Sequence, residues 1–455
     1  MSEVKKSGHS HQRGRFSGKI GYVLAVAGSA VGLGNIWRFP YLAAKYGGGM
    51  FLLVYLIFAV TFGFALMTTE IAIGRRTGKS VIQAYSDMNR HFKPLGWLAG
   101  AIPVIILPYY CVIGGWVLRY LTTFVSGAGK SAAGDGSYFT NFISHAGTPM
   151  LFFGIFIALT AVVVMLGVQK GIEKVSKFMM PLLLVLIVGI SIYTLTLPGA
   201  IDGLIYYIKP DFSEFSIKTV IAAVGQLFYS MSLAMGIMIT YGSYMRKEDS
   251  IESSVRQIEV FDTAVAFLAG LIIVPAVFVF SGGDKSALNA GPSLMFITLP
   301  NVFHDMVGGQ IVGIVFFLLV ALAAMTSSIS LMETVVSIVE ERFHWKRTPS
   351  CLIVTGVSFL IGLLSVFGYS IWSDFTIFHM QMLDFFDYIS NNIMMPIVAL
   401  MTCILVGFVV KTTYVENEIE KNERFRSKGL YRIMIKFICP ICMLLILFSS
   451  LFLTL

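Results

Sequence analysis

Residues 28–40 read GSAVGLGNIWRFP and lie within a long apolar segment at about 17–44. Three glycines and an asparagine in such a segment weaken a helix, because glycine costs about 1 kcal/mol against alanine at a helical position. A second interruption, SMSLAMG at 230–236, lies at a similar depth in a later apolar segment. If both segments cross a membrane, their non-helical backbone must be buried in protein or line a cavity. The two interruptions therefore predict a central binding site.

The composition of the whole chain predicts a membrane protein. Its 455 residues are 56% hydrophobic and only 13% charged, whereas soluble proteins carry roughly 25% charged residues. A spanning helix needs about 20 mostly apolar residues, so the chain has room for roughly ten to twelve spans. This excludes a soluble multidomain protein, a disulfide-rich secreted domain and, despite the net charge of +8, a nucleic-acid partner.

Eleven apolar segments are too long for core strands and too rich in Leu, Ile, Phe and Met. They lie at about 17–44, 49–76, 95–125, 148–168, 172–197, 217–246, 258–282, 309–341, 350–370, 375–411 and 430–454. The predicted fold class is therefore an all-α polytopic membrane protein in a lipid bilayer.

The distribution of positive charge predicts the orientation. Most Lys and Arg residues lie in the N-terminal tail and in every second loop. Because cytoplasmic loops carry the excess of positive charge, the N-terminus is predicted to be cytoplasmic, and an odd number of spans places the C-terminus outside. The same pattern predicts a multi-pass protein of the cell's inner (plasma) membrane. The high positive charge is thus a topology signal and does not indicate an anionic ligand.

The two interrupted segments are the first and the sixth, so they begin two five-span halves that insert with opposite orientation. Such a pair of interrupted spans indicates the binding site of a secondary transporter. The alternative interpretation of Gly28-x-x-x-Gly32 is a close helix-packing motif. The predicted organisation is a cytoplasmic tail 1–16, a first repeat 17–198, an extracellular interfacial segment 199–216, a second repeat 217–411 with an extracellular lid 291–306, a cytoplasmic loop 412–429 and a last span 430–455.

Residues 28–55 and several later motifs resemble the neurotransmitter:sodium symporter family. The later motifs are VGQLFYSMSLAMG (224–236), TYGSY (240–244), ITLP (297–300), AAMTSSISLME (323–333) and LDFFD (383–387). The resemblance runs from residue 13 to about 411. It implies a 5+5 inverted-repeat transporter fold with unwound helices 1 and 6, here followed by an eleventh helix. The chain resembles a bacterial amino-acid transporter of this family.

The resemblance implies two sites for Na⁺. The first takes the Ala30 carbonyl, Asn35, Ser230, Asp262 and the substrate carboxylate. The second takes the carbonyls of Gly28, Val31 and Ala323 with the hydroxyls of Thr326 and Ser327. The alternative for the two hydroxyls is a hydrogen bond back to a carbonyl of their own helix.

Asp262 stands where the family more often has asparagine. Many members bind chloride near the first sodium site, and the matching positions here are Tyr55, Gln226, Ser230, Asp262 and Ala266. A fixed carboxylate would balance the sodium charge in place of the anion, so no chloride requirement is predicted. The alternative is an interfacial aspartate that caps a helix or reaches to the membrane surface.

The resemblance also implies the substrate. Monoamine carriers of the family have an aspartate at the position of Gly32, so a ligand here brings its own carboxylate. An uncharged pocket then indicates a neutral α-amino acid with a large apolar or aromatic side chain, with tyrosine favoured. The alternative for individual positions such as Ile106 and Leu331 is an ordinary core residue. The implied substrate-binding residues are Ala30, Leu33, Gly34, Ile106, Tyr110, Tyr229, Ser230, Ser232, Met235, Ser327 and Leu331.

Two charged pairs are implied as gates. Arg38 and Asp387 form the outer gate, and Arg13 and Glu341 form the inner one, where Phe16 replaces the family's usual tryptophan. The alternative for the inner pair is that Arg13 is only one of the positive charges that set the membrane orientation, and that Glu341 is a solvated charge at a helix end.

The sequence therefore predicts sodium-coupled symport of a neutral amino acid into the cell by alternating access. It does not predict an enzyme, because no G-x-S-x-G or H-E-x-x-H motif is present. The alternatives are a substrate-sensing receptor or a channel on the same fold, or a symporter of another small zwitterion.

Overall fold

The computed structural model describes residues 14–280 and 293–452. Within these ranges the chain is helical, and its only β-type pairings are two isolated bridges, Gly48 with Pro210 and Ile377 with Met380. The predicted all-α class is confirmed.

Nine single helices in the described residues are long and apolar enough to cross a membrane. Spans 2 to 5 are Gly49–Thr77, Arg90–Val125, Gly147–Met165 and Val168–Leu195, and spans 7 to 11 are Ile251–Phe280, Gly309–Phe343, Arg347–Gly368, Met382–Val409 and Lys428–Leu451. Span 1 is a bent pair, Lys19–Ala30 and Gly34–Lys45, which turns by 55°. Span 6 consists of two short helices, Ile217–Ser230 and Ile237–Tyr244. We call the side predicted to be cytoplasmic the inner side and the opposite side the outer side.

The apolar segments predicted the spans but not all of their ends. Span 7 begins at Ile251 rather than at 258, because the helix extends through polar residues on the inner side. Span 10 begins at Met382 rather than at 375. Just before it, Phe378 and His379 have positive φ angles of 51° and 60°, which a helix does not tolerate. Apolar residues therefore continue beyond the helix there.

The break in span 1 is held by a side chain of the span itself. The inner half ends where Val31 becomes extended, with φ −74° and ψ 100°, and the outer half begins at Gly34. The Asn35 side-chain oxygen accepts a hydrogen bond of 3.1 Å from the Gly32 amide. This bond satisfies one of the donors that a broken helix leaves unpaired.

The break in span 6 is more strained. Three residues within five have left-handed φ angles: Ser232 at 52°, Ala234 at 61° and Gly236 at 75°. Only glycine adopts this conformation readily, and each of the others costs on the order of 1–3 kcal/mol. The buried Glu70 of span 2 accepts a 2.7 Å hydrogen bond from the Ala234 amide. Span 2 thereby stabilises the unwound segment of span 6.

Replacing Glu70 by alanine is expected to destabilise the protein by about 1–3 kcal/mol, because the buried Ala234 amide loses its acceptor. The measurement is the midpoint of thermal unfolding of the purified protein in detergent. Glu70→Gln keeps a carbonyl oxygen for the same bond and is the control. An alanine variant as stable as wild type would contradict this role.

The segments predicted on the outer side are too short to span. The interfacial segment contains the helix Ala200–Ile208. The lid forms a π-helical turn, Leu294–Thr298, and a helix, Leu299–Asp305, while its first two residues lie outside the described part. Phe296 is buried and its ring stacks on that of Phe139, 5.0 Å away. The lid is therefore packed into the outer side of the bundle.

The predicted inner loop 412–429 folds in part as a helix, Thr413–Ile419. Its Glu418 forms an ion pair of 2.9 Å with Arg75 at the inner end of span 2, and both side chains are only 1% exposed. Arg75 also donates a hydrogen bond of 2.6 Å to the Asp249 carbonyl, which lies between spans 6 and 7. The loop thus ties together the inner ends of spans 2, 6 and 7.

Removing the Glu418 carboxylate is expected to leave the Arg75 charge buried and unpaired. Glu418→Ala should therefore lower the free energy of unfolding by about 3–5 kcal/mol. Glu420→Ala is the matched control, because that side chain is 38% exposed and a surface pair contributes about 0–1 kcal/mol. Thermal unfolding in detergent compares the two variants, and equal effects would contradict a buried pair.

A second carboxylate of the loop predicts a pH dependence. Burial raises the pKa of Glu416, but hydrogen bonds from Arg432 and Thr412 outweigh it and lower the pKa from 4.5 to about 2. A depressed folded-state pKa gives stability above the unfolded value, and this stability is lost as pH falls through the folded value. The stability difference between wild type and Glu416→Gln is therefore expected to shrink between about pH 4.5 and pH 2. A difference that stays constant over this range would contradict the assignment.

Candidate functional site

A small central cavity lies between the breaks of spans 1 and 6. In the described part of the chain its lining contains no charged side chain. Ten of the eleven predicted substrate residues line it; Ser230 does not, because it faces Asp262 instead. The lining residues are Ser29, Ala30, Gly32, Leu33, Gly34, Ile106, Tyr110, Tyr229, Ser232, Met235, Ile237, Ser327 and Leu331.

Three lining residues are not among the implied substrate-binding residues: Ser29, Gly32 and Ile237. Gly32 was considered only as the position where monoamine carriers have an aspartate. Ser29 lies within the motif of span 1, but the motif alone did not show which way its backbone faces. Ile237 begins the inner half of span 6, and no polar or glycine signal marks it. Ser29 and Ile237 line the cavity because the two breaks are opposite each other.

The polar groups of the cavity come mostly from unwound backbone. The Leu33 amide donates to the Tyr110 hydroxyl at 3.3 Å. On the opposite side, the hydroxyls of Ser232 and Ser327 both donate to the Ser29 carbonyl, at 3.0 and 3.1 Å. The cavity thus offers amide donors and carbonyl acceptors without a fixed charge.

Gly32 has no room for a side chain in this lining. A Cβ atom at this position would lie 2.6 Å from the Ser327 Oγ and 2.9 Å from the Tyr110 hydroxyl. Any larger residue would displace two polar groups of the cavity. The structure therefore requires glycine at this position in the present arrangement.

Asp262 lies within span 7 and is 0% exposed, so the alternative of an interfacial aspartate is wrong. Its carboxylate accepts hydrogen bonds from Asn35 Nδ2 at 2.7 Å, from Ser230 at 2.8 Å and from Tyr55 at 3.2 Å. Gln226 instead donates to the Gly34 carbonyl at 2.9 Å. No Lys, Arg or His in the described residues lies within 4 Å of Asp262 as an ion-pair partner.

The oxygens around Asp262 are of the type that hard cations prefer. Hydroxyl, amide and carboxylate oxygens suit such ions, whereas softer metals prefer thiolate or imidazole ligands. Among the described residues no cluster of three or more His, Cys, Asp or Glu could hold a metal ion. An unpaired buried acid is costly and usually faces a cation or a pathway. The oxygens of Ser230, Tyr55 and Asp262 are therefore candidate ligands of an alkali cation, whereas the Asn35 amide turns its Nδ2 toward Asp262 and its oxygen toward the Gly32 amide.

The residues of the second implied sodium site also face one another. Ser327 Oγ lies 3.3 Å from the Val31 carbonyl, to which it donates. A Cβ atom at Gly28 would lie 3.3 Å from the Thr326 side chain. The Thr326 hydroxyl donates to the carbonyl of Ala323 at 3.0 Å, which is the alternative anticipated for it. Of the two hydroxyls, only that of Ser327 contacts carbonyls of the broken helix, those of Ser29 and Val31.

The outer gate residues lie on either side of the cavity roof. The Arg38 guanidinium lies over the Tyr229 ring, 5.2 Å from its centre. Asp387 accepts hydrogen bonds from Tyr109 at 3.1 Å and from Asn391 at 2.6 Å. In the described residues no ion pair within 4 Å joins Arg38 to Asp387. The direct contact is absent in this conformation, because each charge has other partners.

The inner gate is described only in part, because Arg13 lies outside the described residues. Glu341 accepts a 2.6 Å hydrogen bond from the Ser80 amide and lies 3.7 Å from the Lys79 ammonium. Phe16 is buried and its ring contacts those of Tyr22 and Tyr241 at 5.5 and 5.9 Å. The residue that replaces the usual tryptophan is thus packed among aromatic rings on the inner side.

The sequence profile of the sodium:neurotransmitter symporter family matches residues 13–129 and 137–454. The chain belongs to this family. It is similar to a sodium-dependent transporter of Haemophilus influenzae, with 33% identity over 98% of this chain and 99% of that protein. It is also similar to the sodium-dependent transporter YhdH of Bacillus subtilis, with 33% identity over 95% of this chain and 96% of that one.

A solved structure and a relative of lower sequence identity extend the comparison. The crystal structure of MhsT in complex with L-phenylalanine is 34% identical, has a TM-score of 0.88 and covers 96% of this chain and 100% of that one. The human sodium- and chloride-dependent GABA transporter 2 is 24% identical over 99% of this chain and 82% of that protein. The resemblance predicted from the motifs is confirmed: this chain is a sodium-coupled symporter, not an enzyme.

Proposed function

We propose that this symporter carries a neutral amino acid with a large hydrophobic or aromatic side chain, tyrosine foremost, into the cell. The observation that carries the proposal is the uncharged central cavity, whose side-chain lining is apolar, aromatic or hydroxylic. Met235 is flexible and adapts to ligands of different shape. MhsT, which shares the fold, was crystallised with L-phenylalanine, and this supports an aromatic substrate.

A zwitterion fits the two polar ends of the cavity. We assign the substrate carboxylate to the amides of Leu33 and Gly34, at the start of a half-helix whose dipole favours an anion, with the Tyr110 hydroxyl beside them. The α-amine then meets the carbonyls of Ala30 and Tyr229 and the hydroxyl of Ser232, whereas Ser230, which the resemblance also implies, lies outside the cavity lining. Gly32 supports this assignment. Because this position has no carboxylate, the protein offers no ionic partner there to a substrate that carries only an amine, and the substrate must bring its own carboxylate.

Two sodium ions accompany the substrate in this proposal. The first lies among Ala30, Asn35, Ser230 and Asp262 and also contacts the substrate carboxylate, so that binding of ion and substrate is coupled. The second lies among the carbonyls of Gly28, Val31 and Ala323 and the hydroxyls of Thr326 and Ser327. Two charges moved inward contribute about 4.6 kcal/mol per 100 mV, which supports a roughly thousandfold accumulation.

Transport is proposed to be independent of chloride. The Asp262 carboxylate has no cationic partner within 4 Å in the described residues, so its charge is left to balance a bound sodium ion. A second anion beside it would be repelled. In this proposal the chain differs in its chloride requirement from GABA transporter 2, whose name describes it as sodium- and chloride-dependent.

Alternating access is proposed to operate between two inverted repeats, 17–198 and 217–411. Arg38 and Asp387 close the outer side over Tyr229, and Arg13 and Glu341 close the inner side. The inner side is cytoplasmic in this proposal, as the positive charges predict. Exposed ion pairs are worth only about 0–1 kcal/mol, which suits contacts that must open in every cycle.

The substrate assignment is tested by uptake of labelled tyrosine into proteoliposomes, with each of the twenty amino acids as competitor. Phenylalanine, tryptophan and leucine are expected to compete, whereas aspartate and lysine are not. Competition by charged amino acids would contradict the uncharged site. Uptake that needs no sodium and stops at equilibrium would favour a channel, because a channel cannot accumulate its substrate against a concentration gradient.

A further inference from the structure

A second polar cavity lies on the outer side, away from the transport site, between the end of span 3 and the start of span 4. Arg119, Thr122 and Ser126 of the span 3 region line it on one side. Asp135 and Tyr138, from the connection to span 4, line the other side, and Phe152 of span 4 completes it. None of these residues contributes to the transport cavity.

Arg119 is the unusual member of this group. Its Nε is buried and has no hydrogen-bond partner among the described residues, and no ion pair within 4 Å includes it there. Its guanidinium lies 5.7 Å from the centre of the Phe152 ring. An arginine inside a membrane span normally has a partner, and its planar fork suits phosphate oxygens in particular.

Asp135 supplies the opposite charge in the same cavity. Its carboxylate is held by hydrogen bonds from the Ser137 amide at 3.0 Å and hydroxyl at 2.7 Å. These bonds lower the pKa of Asp135, so it is negatively charged at neutral pH. Because the described residues contain no ion pair within 4 Å between Asp135 and Arg119, each charge is available to a ligand.

The cavity lies beside an exposed apolar surface of span 4. Span 4 is only 39% buried over its most apolar window. Leu151 and Ile155, on either side of Phe152 in the sequence, are 60% and 42% exposed. A ligand seated on Arg119 can therefore extend acyl chains along span 4 while its headgroup lies among the polar residues.

We propose that this cavity binds the headgroup of an outer-leaflet phospholipid in which a phosphate is joined to an ammonium group. The phosphate pairs with the Arg119 guanidinium, and the ammonium group pairs with the Asp135 carboxylate. Thr122 and Ser126 line the same cavity as the two charged residues. A phosphatidylethanolamine satisfies both charges, whereas a phosphatidylglycerol satisfies only Arg119.

The test uses the purified full-length protein in detergent, titrated with phosphatidylethanolamine or phosphatidylglycerol and examined by native mass spectrometry. Wild type is expected to retain phosphatidylethanolamine more tightly than phosphatidylglycerol. Arg119→Gln is expected to weaken phosphatidylethanolamine binding roughly tenfold, with Arg119→Lys intermediate because it keeps the charge without the fork. Asp135→Asn is expected to remove the preference between the two lipids.

Lys218→Gln is the control, because Lys218 is an exposed cation at the outer start of span 6, and it should bind both lipids as wild type does. Thermal unfolding of each variant verifies that it is folded. Unchanged phosphatidylethanolamine binding by Arg119→Gln would overturn the proposal. So would displacement of the lipid by an equal concentration of free O-phosphoethanolamine, which would indicate a site for a soluble phosphate compound.

Discussion

Replacing Asp262 by asparagine is expected to make transport depend on chloride. The substitution keeps the shape of the side chain and removes the one buried negative charge beside Asn35, Ser230 and Tyr55. Two unit charges 4 Å apart interact by about 4 kcal/mol at an effective dielectric constant of about 20. Loss of this charge should weaken sodium binding on the order of a hundredfold or more.

The measurement is uptake of labelled tyrosine into proteoliposomes, with chloride present or replaced by gluconate. Wild type should be unaffected by the exchange, whereas Asp262→Asn should be nearly inactive in gluconate and regain activity in chloride. Glu259→Gln is the control, because Glu259 is an acid of the same helix that pairs with Arg256 at 3.1 Å. A wild type that loses activity without chloride would show that Asp262 does not replace the anion.

Adding a single methyl group at Gly32 is expected to weaken substrate binding strongly. The new Cβ would lie 2.6 Å from the Ser327 Oγ and 2.9 Å from the Tyr110 hydroxyl, so both must move. Overpacking of this kind costs about 1–3 kcal/mol, and here it also displaces groups that are proposed to hold the second sodium ion and the substrate carboxylate. The apparent substrate affinity of Gly32→Ala should fall roughly tenfold to a hundredfold.

Gly189→Ala provides the matched control. Gly189 is also within a span, but among the described residues, apart from its chain neighbours and its own helix backbone, no atom lies within 4 Å of a Cβ built there. This variant should transport as wild type does and be slightly more stable, because alanine favours a helix over glycine by about 1 kcal/mol. Equal activity of Gly32→Ala and Gly189→Ala would show that the cavity is wider at Gly32 than the structure indicates.

The sequence predicted the site best where residues that weaken a helix determine the path of the backbone. Glycines and small polar residues at mid-membrane depth mark the breaks of spans 1 and 6, and those breaks place the cavity. The motif of span 1 and the SMSLAMG segment therefore identify most of the lining. Asp262 was predictable as a buried acid because few charged residues lie within the apolar segments.

Other features depend on contacts that no local pattern reveals. Asp387 is bound by Tyr109 and Asn391, which lie on spans 3 and 10 and carry no motif of their own. Glu418 lies in the predicted cytoplasmic loop 412–429, and nothing in the sequence indicates that it is buried against Arg75. Hydropathy reports which residues lie in the membrane; it does not report where a helix extends beyond it or which loops pack against the bundle.

The central claim is that a sodium gradient drives accumulation of a neutral amino acid through this chain. Proteoliposomes loaded with potassium gluconate and diluted into sodium gluconate with labelled tyrosine test it most directly. The account predicts uptake that rises above equilibrium and then declines as the gradient dissipates, and no such rise when choline replaces sodium. Equal, merely equilibrating uptake in sodium and in choline would contradict it.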